Sequence, residues 1–213
     1  MSGSPAASSA RSCGVLLHPT ALPGPGLNGT FGAAAQAWIR LLGQSGVGVW
    51  QLLPLAPTDG TGSPYSSPSG SALNPALLDG ALLQQEGFIE ADPAQLSGEA
   101  LGPELLRCWP RQPEARTTEF RRWCQAERFW LRDHCRFMVL RNLQGGEPWW
   151  RWPAALARRD RQALQRLDRD HHQALLLEAL VQWQLQRQWQ QLRRLAREQG
   201  VRLLGDLPFY VAH

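Results

Sequence analysis

"CGVLLHPTALPGPGLNGTFGAAAQAWIRLLGQSGVGVWQLLPL", Cys13 to Leu55, decides the fold class. "CGVLL" (Cys13–Leu17) is a short unbroken apolar run closed by "HPTALPGPG", which reads as a fully buried strand entering a loop. "TFGAAAQAWIRLLGQSG" then carries helical spacing. Thr30 is an N-cap candidate, Ala34, Trp38, Leu41 and Leu42 share one stripe, and Gly46 supplies the stop. "VGVWQLLPL" is a second buried run. Strand, loop, helix and strand make a βαβ unit, so the sheet is expected to be parallel.

Working outward, the first twelve residues read as a flexible tail. After Asn74 a Leu-rich segment leads into two long helical patterns, Thr118 to about Leu143 and about Asp170 to Gln199, the second stopping at Gly200. "GGEPWWRWP" between them is a Trp-rich connector. "VRLLGDLPFYVAH" gives a third buried run that ends in a polar turn. The expectation is an α/β chain with about three parallel strands in residues 13–213. Residues 76–200 form a mainly helical elaboration between strands two and three. A parallel sheet is normally covered on both faces, and a closed barrel of this kind takes eight strands. The chain is therefore read as the front portion of a longer protein.

With 213 residues, 43% of them hydrophobic, the chain can build one good core. The net charge of +4 comes wholly from arginine on the basic side, because lysine does not occur. The Arg-rich runs "ARRDRQALQRLDRD" and "LRRLARE" interleave Arg with Asp and Glu. That reads as a solvated, ion-paired helix face, and a nucleic-acid-binding helical protein is the minor alternative. Cys13, Cys108, Cys124 and Cys135 form no CxxC pair and no zinc-like spacing with His, so buried or incidental thiols are expected and no metal. No apolar run reaches the roughly 20 residues of a membrane span, and the opening lacks a signal-peptide core. A soluble cytoplasmic protein is expected.

In parallel α/β architectures ligand groups gather at the carboxyl ends of the strands. Here those positions hold His18, then the loop with Ser63, Pro64 and Tyr65, then Asp206 and His213. Each has a bland reading beside the functional one. His18 is either a satisfied structural histidine or a ligand-lining one, and Asp206 either caps a turn or touches a ligand. Tyr65, on a Gly/Pro/Ser loop, either lies flat against the apolar face of a sugar or packs down and staples its loop. Trp123, Trp130, Trp183 and Trp189 fall on helix stripes and read as core. Trp149, Trp150 and Trp152 in the connector remain open. No Walker loop, GxGxxG, HExxH or GxSxG occurs.

Four blocks resemble one family in order and spacing: "SCGVLLHPTALPGPGLNGTFG", "VWQLLPLAPTDGTGSPYSSPSGSALNP", "FWLRDHCRFMVLRNLQGGEPWWRWP" and "LLGDLPFYVAH". They are similar to the amylomaltases, the 4-alpha-glucanotransferases or disproportionating enzymes of the alpha-amylase clan. The resemblance implies the N-terminal part of a (β/α)8 barrel that moves α-1,4-glucan segments to the 4-hydroxyl of another glucan, without a cofactor. It implies that Tyr65 stacks beneath the sugar beside the cleaved bond, that His18 lines the same mouth, and that Asp206 belongs to the clan's strand-three block. His213 lies where that block continues. The family's nucleophile, acid/base and stabilising carboxylates lie on later strands, so no catalytic residue is assigned in this chain. A non-catalytic α-glucan-binding module is the alternative. The chain departs from the family at "LNGTFG", where "GIGDLG" is usual. Ser66, Pro68 and Ser71 also stand in place of an amide and two aromatic rings. A changed acceptor preference or a poorly ordered loop would follow.

Overall fold

The structure, a computed structural model, describes residues 12–24, 28–96, 98–208 and 210–211, the last two by backbone alone. The expected tail lies outside the described residues except for Ser12. The chain opens with β1 (Gly14–Leu16), α1 (Ala33–Gln44) and β2 (Val49–Gln51), the βαβ unit expected. A two-residue strand, β3 (Ser66–Ser67), follows in the loop beyond β2. Then come α2 (Gly80–Gln85), α3 (Leu101–Cys108), α4 (Glu114–Ala126), α5 (Arg128–Leu143), α6 (Ala154–Ala157), α7 (Arg161–Asp170) and α8 (His172–Glu198). β4 (Arg202–Leu204) and β5 (Tyr210–Val211) close the order.

β2 is central, parallel to β1 on one side and β4 on the other, with Val15, Trp50 and Leu203 in one row across the three. That row faces α1 and α8. Trp50 is fully buried there, and its Nε1 donates to the Leu17 carbonyl at 2.8 Å. The opposite face carries Leu16 and Leu204, 52% and 53% exposed. The reading of three fully buried strands is thus corrected: the helices cover one face, and among the described residues no helix covers the other.

The helix stripe of α1 is also rotated from the expected one. Ala35, Ile39 and Leu42 are buried while Leu41 is half exposed. The N-cap is Gly32, not Thr30. The Thr30 hydroxyl instead donates to Asp79, and its oxygen accepts the Gly32 amide at 3.3 Å. Gly46 does end the helix, at φ +70°, with Val47 N–H bonding back to Leu42 at 2.9 Å. Gly200 repeats the device at φ +69° after α8. The single helix expected over 118–143 is two, broken at Glu127, whose carboxylate accepts the Trp130 indole N–H at 2.6 Å.

α8 organises the molecule. Its 27 residues pack against α1, α3, α4 and α5. Trp183 sits at its centre, edge-on to Phe88 at 5.6 Å and to Trp109 at 5.8 Å. Gln182 and Gln188 are buried on the same helix, and each clamps a distant backbone with both amide atoms. Gln182 bonds the Leu73 N–H and C=O at 2.9 Å each, and Gln188 bonds those of Asp79 at 2.9 Å each. Most buried polar side chains are hydrogen-bonded, and these two are bonded through both amide atoms. A smaller separate core of Val139, Leu140, Trp152 and Leu167 lies where α5, α7 and the Trp-rich connector meet.

The arginines form ion pairs: Arg107 with Glu104 and Glu90, Arg136 with Asp168, Arg187 with Glu86. From the two Arg-rich runs Asp168 and Arg159 take part, each with a partner outside its run. The four cysteines are free, and burial pushes the Cys124 thiol to about 11 and the Cys135 thiol to about 12. Among the described residues no helix is long and apolar enough to cross a membrane.

His134 on α5 gives a pH prediction. It is buried beside Trp130, its Nδ1 has no hydrogen-bond partner, and burial lowers it from 6.5 to about 4. Between those two values the unfolded chain holds the extra proton, so stability falls as pH falls. The contribution is complete above 6.5 and is lost on the way to about 4, on the order of 3 kcal/mol in all. Glu178, raised by burial, works in the opposite direction, so the check compares variants. Urea midpoints of His134→Leu are expected to change less than those of the unsubstituted protein between pH 7 and 4.5. Equal pH slopes would assign the effect to another group.

Candidate functional site

All three strands of the main sheet run parallel, so the segments that leave β1, β2 and β4 emerge along one edge. His18 stands two residues past β1 and caps the short turn Pro19–Ala21. Its Nδ1 lies 2.7 Å from the Thr20 hydroxyl and accepts the Thr20 amide at 3.3 Å. An Nδ1 that accepts leaves the proton on Nε2, and that atom is sealed from solvent with no partner at bonding geometry. Burial lowers the His18 pKa, with the Pro54 carbonyl opposing. The ring is therefore a neutral cap at the strand end and touches the segment just past β2.

The loop after β2 is built by its own side chains. Asp59 accepts from the Thr61 amide at 2.9 Å, from the Thr61 hydroxyl, and from the Ser66 hydroxyl at 2.7 Å. Its carboxyl is held below the usual range by Thr61 first, then Ser66, with the charge of Arg141 adding to both. Ser63 accepts the Tyr65 amide at 3.3 Å. Ser67 accepts the Ser69 amide at 3.1 Å, and Ser69 accepts the Ala72 amide at 3.1 Å. Short polar side chains turned onto nearby backbone are the normal currency of tight turns. Leu73, at the far end of the loop, is held by Gln182 on α8. Ser63 is one of these turn formers.

Tyr65 and Asp206, 141 residues apart, meet directly: the phenol donates to Asp206 Oδ2 at 2.9 Å. The other carboxylate oxygen accepts the Leu207 amide at 2.8 Å. The phenol's bond to Asp206 raises the Tyr65 pKa, so the phenol stays protonated well into alkaline conditions. A second ladder fixes the same junction. β3 pairs in parallel with β5, Ser66 opposite Tyr210 and Ser67 opposite Val211. The segments after β2 and β4 are thus tied side by side. His213 lies outside the described residues. The sequence reading missed Asp59 and Gln182. The Asp-Gly-Thr spacing signals the first; the second has no local signal, because its partner lies 109 residues away. Among the described residues no three His, Cys, Asp or Glu side chains gather as metal ligands.

The sequence pattern of one family, described as 4-alpha-glucanotransferase, matches residues 17–213. The chain belongs to the 4-alpha-glucanotransferase family. The Thermus thermophilus 4-alpha-glucanotransferase is 35% identical over 95% of this chain and 43% of its own length. The Aquifex aeolicus 4-alpha-glucanotransferase is 36% identical over 95% of this chain and 44% of its own length. The solved amylomaltase from Streptococcus agalactiae in complex with acarbose superposes with a TM-score of 0.86 at 30% identity, over 94% of this chain and 44% of that one. An amylomaltase from Corynebacterium glutamicum shares the fold at a TM-score of 0.62 and 16% identity. The chain spans less than half the length of these 4-alpha-glucanotransferases.

Proposed function

We propose that this chain forms the substrate-facing N-terminal part of a (β/α)8 enzyme that transfers segments of α-1,4-glucan to the 4-hydroxyl of an acceptor glucan. The bond between Tyr65 and Asp206 carries the reading, because it joins two strand-end segments at the edge where ligands of parallel α/β folds gather. The relative with acarbose, an oligosaccharide analogue, supports a glucan as the ligand. The exposed sheet face with Leu16 and Leu204 fits the interior of a barrel completed by further strands.

In this reading Tyr65 presents its ring to the apolar face of one glucosyl unit, and Asp206 holds the ring's orientation through the phenol. His18 lines the same mouth as a neutral ring. Ser63 shapes the loop that carries Tyr65, and His213 extends the Asp206 segment. Two carboxyl groups about 5–5.5 Å apart on other strands serve a retaining double displacement, one as nucleophile and one as acid/base. Transfer exceeds hydrolysis because a held acceptor hydroxyl has a far higher effective concentration than its bulk value. No cofactor enters, and the compartment is the cytoplasm.

The test is product analysis. The full-length protein incubated with maltotriose is expected to yield glucose and maltooligosaccharides longer than three units, with the number of glycosidic bonds conserved. A rise in total reducing ends at the rate of glucose release would make it a hydrolase and sink the transferase reading.

A further inference from the structure

The Trp-rich connector is not absorbed by the mouth, and it frames a cavity with the makings of a ligand site. A cavity of about 330 Å³ opens between α5, the connector and the segment joining α6 to α7. That is the small end of ligand pockets, with room for about one or two sugar rings. Its floor is apolar: Phe137 and Trp152 tilt together at 5.5 Å, and Leu140 is buried beside them. Trp152 is fixed by its Nε1 donating to the Glu147 carbonyl at 2.7 Å. Trp149 forms a wall and keeps 52% of its surface exposed.

The rim is polar and internally neutralised. Arg159 pairs with Asp133 at 2.6 Å, and Arg136 is taken by Asp168, its Nε donating at 2.8 Å. Arg159 is the single non-glycine residue with a positive φ among the described residues, at +59°. Glycine would adopt that turn freely. The arginine occupies it, directly after α6, and brings its guanidinium back across the cavity to Asp133.

We infer that this cavity is a second carbohydrate-holding site, in which a glucosyl unit of an α-glucan lies with its apolar face on Trp149 and its hydroxyls on the Asp133–Arg159 pair. The chemistry selects a neutral polyhydroxylated ring. Each guanidinium at the rim already faces a carboxylate, so nothing calls for an anion. A paired guanidinium and carboxylate still keep unused N–H groups and lone pairs, a fixed fringe of donors and acceptors around an apolar floor. A purely apolar ligand would leave that fringe desolvated, which is costly. α5, which supplies Phe137 and Leu140, also carries Arg141, whose charge helps hold down the Asp59 carboxyl on the Tyr65 loop. A long glucan engaged at the mouth therefore has a second holding point on the helical elaboration. Only the choice of glucan over another sugar rests on the transferase reading.

The experiment uses the full-length protein, native gels with and without glycogen, and transfer rates on maltotriose and amylose. Trp149→Ala is expected to lower glycogen retardation at least about fivefold and to raise KM for amylose severalfold. Maltotriose turnover should stay within about twofold, since a short sugar occupies the mouth alone. Arg159→Gly suits the backbone and removes the guanidinium, so it is expected to weaken retardation without lowering the melting temperature. Unchanged retardation in both variants overturns the proposal. So does loss of maltotriose turnover in parallel with retardation, which would place Trp149 in the transfer site. If the unsubstituted protein is retarded in a Trp149-dependent way but transfers nothing, the holding site stands and the transferase reading falls.

Discussion

Gly32→Ala is expected to lower the stability of the protein by about 4 kcal/mol, a drop in melting temperature of about 8–16 °C for a chain of this size. The reason is space, since Gly32 has an ordinary negative φ of −84°. A methyl group there would fall on the Asp79 carboxylate. Asp79 cannot retreat. Its backbone is gripped on both sides by Gln188, one of its oxygens caps α2 through the Leu82 amide at 2.9 Å, and the other accepts the Thr30 hydroxyl. The side chain is 6% exposed, so displacing it leaves a carboxylate and two donors without partners in the interior. Asp79→Ala alone loses the cap and the Thr30 bond, about 2 kcal/mol. In the double variant the methyl enters the space the carboxylate vacated, so the two losses should be far from additive. Thermal melts of the four proteins check this. Additive losses, or a Gly32→Ala melt unchanged within error, would mean that the junction of α1 and α2 is looser than its bonds imply.

How much of this was legible beforehand follows from the range over which each interaction acts. The βαβ unit over 13–55 could be read because strand and helix periodicities are local, and the stops at Gly46 and Gly200 could be read because a left-handed turn asks for glycine. The phase of α1 was missed by about one residue. "AAAQAWIRLL" carries apolar side chains nearly all round, and α8 and the sheet decide which of them are covered, Ile39 and Leu42 in preference to Leu41. The break at Glu127 was invisible because helical spacing runs through it, and only the Trp130 bond marks it. In the candidate site the residue types at the strand ends were readable and their partners were not. Nothing near Tyr65 announces Asp206. Nothing in "ALVQWQLQRQ" says that two of its glutamines turn inward to hold backbone more than a hundred residues upstream. Ser63, which looked like a mouth residue by position, is a turn former once Tyr65 N–H is seen to use its hydroxyl.

Tyr65→Ala in the full-length protein is expected to reduce kcat/KM for maltotriose disproportionation by on the order of a hundredfold, the scale set by misplacing a reacting group by about an ångström. Its melting temperature should change by no more than about 2 °C. The two readouts separate the roles the residue can play. The loop has ties that do not involve the ring: Asp59, Ser63, Ser67 and Ser69 bond its backbone, β3 pairs with β5, and Gln182 closes the far end. Removing the ring therefore takes away the surface that the proposed reading gives the sugar, together with the phenol bonded to Asp206, while these ties of the loop remain. Tyr65→Phe keeps the ring and deletes the bond to Asp206. It should retain most of the activity, losing about fivefold. The bonded phenol stays neutral far above neutrality, so the alkaline limb of the pH profile should be the same in the Phe variant and the parent. A shift of that limb would show the phenol itself titrating in turnover. If Tyr65→Ala instead lowers the melting temperature by many degrees while turnover survives, the ring is a staple for its loop, and the sugar-facing surface has to be sought elsewhere along the strand ends.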